Sequence, residues 1–259
     1  MNKGIQHGEI YTKILPCVLE AGRMILDRKD LTVSQKAAND FVTQMDRAVQ
    51  AYLIEGLGSL FPEAVFIAEE KENPEIPMGE TLIIDPIDGT TNFINGFPVC
   101  AVCVAYAVDR EVECAFVYNP FLNEMFSAER GKGAWLNEEE IQPFHRPLKQ
   151  SICLIGDSWK GDKEILRKYF ASCRMIGSAE LQICQVACGR AEADISKSIH
   201  VWDYAAGKLI AEEAGALVLD PGGRRALLKE PGTIMVCTPE GRDQVLAIWH
   251  ESMEGRLWN

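Results

Sequence analysis

Thr81-Leu-Ile-Ile-Asp-Pro-Ile-Asp-Gly-Thr-Thr-Asn-Phe93 places three chemical signals in one short stretch. An apolar strand ends by delivering Asp85, a proline-stiffened turn follows, and Asp88 comes three residues on. Two carboxylates held close on a rigid turn repel each other unless a cation sits between them. Oxygen-only ligands select hard metals, Mg²⁺ first, with Mn²⁺ or Ca²⁺ as substitutes. Gly89, Thr90 and Thr91 are next. If they open a helix, their N–H groups and hydroxyls form a phosphate cradle at its N-terminus. A lone D-x-x-D reads first as a surface Asp-Pro turn followed by an Asp-Gly turn, so the surrounding chain has to decide.

Three further segments put an acid at the edge of an element. Phe66-Ile-Ala-Glu-Glu70 is a strand that ends in carboxylates, although Lys71 and Glu72 also allow a solvated acidic loop. Val201-Trp-Asp-Tyr-Ala-Ala-Gly207 sets Asp203 where a helix begins, the ordinary place of an N-cap. Asn39-Asp-Phe-Val-Thr-Gln-Met-Asp46 sets Asp46 early on a helix, where the macrodipole favours a carboxylate. Taken one at a time, each is structural.

The wider pattern predicts an opening helix over residues 10–25, with Pro16 implying a kink or a later start. A second helix is expected over 41–60. Strands are expected at 65–68, 81–84, 99–108, 112–118 and 124–128, with a glycine hairpin turn inside 129–135. From about residue 150 the pattern alternates. Strands are expected at 152–155, 175–176, 216–219 and 233–237, and helices at 163–172, 179–188, 202–214 and 243–253, with Gly215 as a helix C-cap. Strand-rich then alternating texture implies an α+β half, residues 1–149, carrying an antiparallel sheet and the metal site. A tightly packed α/β half, residues 150–259, follows, with the site at the interface between them.

The chain has 259 residues, 47% of them hydrophobic, long enough to bury a core without disulfides or structural metals. Its 26 Lys and Arg against 38 Asp and Glu leave a net charge of −12. That field disfavours nucleic acid and anionic membrane surfaces, and an anionic substrate would need a metal as mediator. The longest apolar run, residues 99–108, is half of what spans a bilayer. No apolar signal region opens the chain, and nine scattered cysteines do not form a secreted disulfide framework. A cytoplasmic location is therefore expected. Cys100 and Cys103 fall on opposite faces of a buried strand and cannot share a metal. Cys184 and Cys188, four apart on a helix, lack a second pair for zinc. A calcium-binding module is disfavoured by the absence of a D-x-D-x-D-G loop.

The order Asp-Phe-Val-Thr-x-x-Asp, Glu-Glu after an apolar strand, Asp-Pro-Ile-Asp-Gly-Thr-Thr-Asn-Phe, then Trp-Asp-x-Ala-Ala-Gly resembles the inositol monophosphatase family of the lithium-sensitive, magnesium-dependent phosphatases. The motifs span residues 40–207, and the nonapeptide at 85–93 is the specific one. The resemblance implies a five-layer αβαβα sandwich with two β-sheets, a homodimer, and two or three Mg²⁺ per site. It implies Glu69, Asp85, Asp88, Asp203 and the carbonyl of Ile87 as metal ligands, with Asp85 bridging two ions and Glu70 less certain. Gly89 and Thr90 would hold the phosphate, and Thr90 with Asp46 would orient the attacking water. The glycine usual before the Glu pair is Ala68 here.

Phosphate monoesters hydrolyse so slowly unaided that accelerations up to ~10²¹-fold are needed. Two metals about 3.5–4 Å apart can acidify the attacking water, stabilise the leaving alkoxide and neutralise the ester. No aspartyl nucleophile or histidine motif is offered, so water is the nucleophile. On the alcohol side the resemblance places Gly177-Ser178-Ala179. The family glutamate that binds inositol hydroxyls, seven residues before the Trp-Asp aspartate, falls on Ser196, beside Lys197. That loss should weaken inositol recognition, Ser196→Glu should restore it, and Lys197 could favour a second anionic group. Inositol 1-phosphate is the first expected substrate, ahead of fructose 1,6-bisphosphate, histidinol phosphate and 3′(2′),5′-bisphosphate nucleotides. A non-catalytic regulatory scaffold that keeps the fold is the rival from another class, and the retained ligand set speaks against it.

Overall fold

The structure is a computed structural model and describes residues 7–27, 33–37, 40–156, 163–229 and 232–254. Asn39, which opens the Asp46 segment, and residues 1–6 lie outside them. Helix α1 (Glu9–Leu26) leads to a small antiparallel pair, β1 (Val33–Ala37) and β2 (Asp40–Thr43), and then to α2 (Gln44–Leu60). A seven-stranded sheet follows in simple sequence order: β3 (Val65–Ala68), β4 (Glu80–Asp88), β5 (Ala101–Val108), β6 (Glu111–Asn119), β7 (Glu124–Glu129), β8 (Gly133–Leu136) and β9 (Glu139–Glu140). Short helix α3 (Thr90–Asn95) interrupts it between β4 and β5. The β3–β4 pair is parallel, and the remaining neighbours are antiparallel.

A 3₁₀ turn, Leu148–Gln150, passes to a second sheet. It contains β10 (Ile152–Ile155), β11 (Ser172–Arg174), β12 (Ala193–Ile199), β13 (Leu217–Leu219) and β14 (Gly232–Cys237), in the spatial order β11-β10-β12-β14-β13. The helices of this half are α4 (Lys163–Tyr169), α5 (Ala179–Ala187), α6 (Ala205–Ala214) and α7 (Arg242–Glu254).

Strand alternation sorts the layers. On β5, Val102, Val104 and Tyr106 pack with α1 and α2, whereas Cys103, Ala105 and Ala107 face α5 and α6. Cys100 joins the first cluster and Cys103 the second, the two faces that their odd spacing requires. Helices α5 and α6 fill the space between the sheets and are buried almost all round, with their buried polar side chains Glu180, Gln182 and Lys208 hydrogen-bonded. Helices α4 and α7 cover the outer face of the second sheet. The result is the αβαβα sandwich. No described helix is long and apolar enough to cross a membrane.

Several expected bounds shift for local reasons. Helix α1 keeps Pro16 in its interior and starts no later than Glu9. Helix α2 begins at Gln44 rather than residue 41, because Thr43 makes a capping box: its Oγ1 accepts from the Met45 and Asp46 amides, and its own N–H donates to Asp46. The strand expected at 175–176 lies instead at Ser172–Arg174, set by pairing with β10. Strand β12 has no counterpart in the sequence reading. Its Ala193-Asp194-Ile195-Ser196 alternates only briefly before Lys197 and Ser198, and Asp194 and Ser196 are buried, so its polar positions mark no solvent face. Gly215 does cap α6 with a left-handed φ of 98°.

Candidate active site

The geometry begins with a bulge. In a regular strand, residues three apart point to opposite faces, so Asp85 and Asp88 could not act together. Asp85 pairs with Cys103 and Asp88 with Ala101, so Pro86 and Ile87 stand opposite a single residue of β5. The extra residue restores the parity and turns both carboxylates into one cleft. Pro86 suits the irregularity because it has no N–H to donate to the ladder. The Ile87 N–H donates to Asp85 Oδ1 at 3.0 Å and locks the turn.

The cleft, about 800 Å³, lies between the sheets. Its wall includes Glu69, Asp85, Ile87, Asp88, Gly89, Thr90, Gly177, Ser178, Ala179 and Asp203. Glu69 follows β3 and is held by its amide on the Ile84 carbonyl. Asp203 closes a 3₁₀ turn, Val201–Asp203, ahead of α6, and its Oδ2 accepts from the His200 amide at 2.7 Å. Burial drives the Asp85 carboxyl well above the ordinary range, and the charges of Glu69, Asp88 and Asp203 push it further, as does a hydrogen bond to Glu69. Burial likewise lifts Asp88 to about 6, opposed by the Ser178 hydroxyl and the amides of Glu180 and Ala179.

An all-oxygen set of four carboxylates and the Ile87 carbonyl fits a hard divalent cation, and their mutual repulsion is the demand that such an ion meets. As the side chains stand, no three described His, Cys, Asp or Glu residues form a group that could already hold a metal ion. Asp85 is turned onto Glu69, and both oxygens of Asp88 face the first turn of α5.

Gly89 caps α3 with φ 93°, and a Cβ there would stand 2.8 Å from the Gly177 carbonyl oxygen and 3.0 Å from that of Val99. Only glycine fits, and the contact sets the two walls at a fixed spacing. Thr90 Oγ1 lies 2.9 Å from Asp46 Oδ1 and 3.0 Å from the Ile87 carbonyl, acceptors for its one proton. Asp46 is fully buried, off the cleft wall, and hydrogen-bonded to the wall residue Thr90. Its Oδ2 accepts from the Thr43 amide and hydroxyl. Glu70 is not on the wall, and its amide donates to Gln50.

The alcohol side departs from expectation. Ser196 is fully buried, and its Oγ donates to Asp194 Oδ2 at 3.0 Å. Neither it nor half-exposed Lys197 lines the cleft; Ser198 and Ile199 do. Counting back from Asp203 ignores a bulge between Lys197 and Ile199, where Ser198 takes a φ of 54°. Gly156 lines the cleft, and a Cβ there would come within 3.3 Å of Ser196 Oγ.

Four polar residues escaped the sequence reading. Asn92, inside the nonapeptide, donates to the carbonyls of Val99 and Ile176 at 2.7 Å each. Gln182 accepts from the Ile176 amide and donates to Asp194, so it ties the Gly177 loop to β12. Glu180 accepts from the Ala206 and Gly207 amides at the start of α6, beside Asp203. Asp194 is pushed up to about 7 by burial, against the hydrogen bonds from Ser196 and Gln182. Burial is what marks Asp194 and Glu180, and a lone sequence does not display it.

A sequence model described as the inositol monophosphatase family matches residues 9–254. Nus factor SuhB of Vibrio cholerae is 38% identical over 228 residues, covering 83% of this chain and 85% of that protein. An inositol monophosphatase of Dictyostelium discoideum is 35% identical over 224 residues, 80% of this chain and 82% of that one. Among solved structures, an IMPase of Thermotoga maritima superposes with a TM-score of 0.86 at 30% identity, covering 93% of this chain and 96% of that one.

Proposed function

The chain belongs to the inositol monophosphatase family, and from that premise we propose that it is a Mg²⁺-dependent phosphate monoester hydrolase that uses water as nucleophile, with inositol 1-phosphate as its first substrate. The observation that carries this reading is the bulge that turns Asp85 and Asp88 into one cleft with Glu69 and Asp203, beside Gly89 and Thr90. Glu69, Asp85, Asp88, Asp203 and the Ile87 carbonyl would hold the metal. Bound Mg²⁺ supplies neutralisation of the ester dianion and a lowered pKa for water.

This chain's own residues then orient the reaction. Asp46, pinned through Oδ2 by Thr43, accepts the Thr90 proton at Oδ1. That leaves the Thr90 oxygen free to accept from the attacking water and aim its lone pair at phosphorus. Gly89 lets the α3 backbone approach the phosphate closely. Gly177, Ser178 and Ala179 border the alcohol, while Ser178 and the amides of Ala179 and Glu180 fix Asp88. A homodimer, a cytoplasmic location and lithium inhibition belong to the same proposal.

Phosphate release from inositol 1-phosphate, fructose 1,6-bisphosphate and adenosine 3′,5′-bisphosphate, each with Mg²⁺ and with EDTA, tests it. Release that depends on Mg²⁺ and is fastest from inositol 1-phosphate is expected. Silence on all three refutes the enzyme reading for these ester classes. The description of the Vibrio cholerae relative as a Nus factor favours a second reading, a role in transcription alongside catalysis. An Asp88→Asn chain that loses turnover yet keeps such a role would separate the two.

A further inference from the structure

Cys153 on β10 and Cys173 on β11 are direct cross-strand partners in a parallel pair. Neighbouring strands lie about 4.7–4.9 Å apart, within the roughly 4.4–6.8 Å between Cα atoms that a disulfide spans. Both side chains pack on the same hydrophobic cluster beneath α4 and α7, so they share a face of the sheet. No other two cysteines are paired in register among the described residues. Cys153 is fully buried, whereas Cys173 is half-buried and lines a separate cavity of about 590 Å³, with Arg167, Ser172, Arg174 and Met175 among the described residues on its wall. Burial raises the Cys173 thiol above its ordinary value, and the guanidinium charges of Arg167 and Arg174 oppose that rise. The rise is not reversed, so the thiolate that reacts forms more readily as pH rises, and the half-open position of Cys173 is what gives an oxidant access to it.

We propose that Cys173 and Cys153 form a reversible disulfide, with Cys173 as the thiol that meets the oxidant and Cys153 as the one that resolves it. Strand β11 runs straight into Met175, Ile176 and Gly177 of the cleft wall, and then into Ser178, whose hydroxyl holds Asp88. A bond that pins β11 to β10 therefore restrains the loop that backs the carboxylate site. The bond and the restraint on the loop do not depend on the phosphatase reading; only the consequence for turnover rests on it.

With hydrogen peroxide as oxidant, the chemistry balances in two steps. The Cys173 thiolate attacks one peroxide oxygen, the O–O bond breaks, and hydroxide leaves to become water, which gives a sulfenic acid. Cys153 sulfur then attacks Cys173 sulfur; the S–S bond forms, the S–OH bond breaks, and the departing hydroxyl takes the Cys153 proton as a second water. Two thiols lose two electrons and one peroxide gains them.

The full chain is treated with hydrogen peroxide, its remaining thiols are alkylated, and its peptides are mapped by mass with and without dithiothreitol. A Cys153–Cys173 linked peptide that dithiothreitol releases is expected, absent from Cys173→Ser. Amide hydrogen exchange over residues 172–181 should change several-fold between the oxidised and reduced forms, while α1 does not change. Cys173 oxidised only to sulfinate or sulfonate, a link between other cysteines, or a linked peptide with unaltered exchange at 172–181 each overturns the proposal. Cys153→Ala serves as a second control: without the resolving thiol, Cys173 should trap as a sulfenic acid that a dimedone probe labels. Loss of phosphatase activity in every form would touch the functional reading and leave this one standing.

Discussion

The two walls of the cleft are built in opposite ways. The wall on the seven-stranded sheet comes chiefly from one contiguous stretch, Asp85 to Asn92, in which a bulge, a left-handed glycine and a helix start follow one another. The facing wall is assembled from Gly156 just past β10, the loop before α5, the bulged end of β12 at Ser198 and Ile199, and Asp203 ahead of α6. The first wall carries groups that a metal and a phosphate would recognise, which every phosphate ester shares. Under the proposed function the second adds Asp203 to the metal set and would border the alcohol, which differs between esters. The first wall is thus written mostly in one stretch whose orientation one strand pairing completes, whereas the second has to be gathered from several segments.

That contrast can be broken. The largest effect is expected on the first wall: Asp88→Asn should lower Mg²⁺-dependent kcat by about 10³-fold or more, since a metal ligand contributes several kcal/mol to the transition state. Its thermal unfolding should show only a modest loss, from the α5 amide left facing an NH₂ group. Activity near that of the parent would remove Asp88 from the ligand set. On the second wall, Ser196→Glu should destabilise the chain by several kcal/mol in denaturant titration, because it forces a carboxylate in beside buried Asp194 and against Gly156. Improved inositol phosphate hydrolysis by a fully stable variant would instead return Ser196 to the cleft.

Asp194 offers a sharper probe of the same wall. Burial raises its carboxyl from 3.8 to about 7, so the folded chain keeps a proton that the unfolded chain releases. Stability from this group falls as pH rises between about 4 and 7 and is constant beyond that window. Asp194→Asn should therefore match the parent at pH 4 and exceed it above pH 7 by up to roughly 4 kcal/mol, read from urea unfolding at both values. Parallel stability profiles would show that Asp194 is charged in the fold. The smallest effect belongs to Lys197→Ala, expected to shift stability by no more than about 0.5 kcal/mol and to leave KM within twofold. A large rise in KM for a bisphosphate alone would put Lys197 back at the substrate.

Much of this architecture could be read along the chain, and the failures have physical causes. Residues 65–68 and 152–155 are β-branched or apolar runs between turn residues, and both strands appear at those bounds. Strand β12 was missed because Ala193, Asp194, Ser196 and Ser198 lack strand propensity, and the polar members at 194 and 196 are turned inward. Gln182 sits among apolar neighbours on α5 and reads as one helical residue among others; its role exists only because Ile176 and Asp194 arrive from elsewhere.

The sequence by itself determined most of the elements and their buried faces, because hydrophobic period and turn chemistry act over a few residues, and the order of its motifs, through their resemblance to a known family, grouped the acids. Tertiary structure decided where those acids point. Asp85 and Asp88 face one way only because β5 pairs across a bulge, and Ser196 turns from the cleft because β12 pairs with β14 in a register that its own residues do not announce. In a strand a one-residue slip exchanges the two faces, so the orientation of every side chain depends on a partner strand distant in the chain.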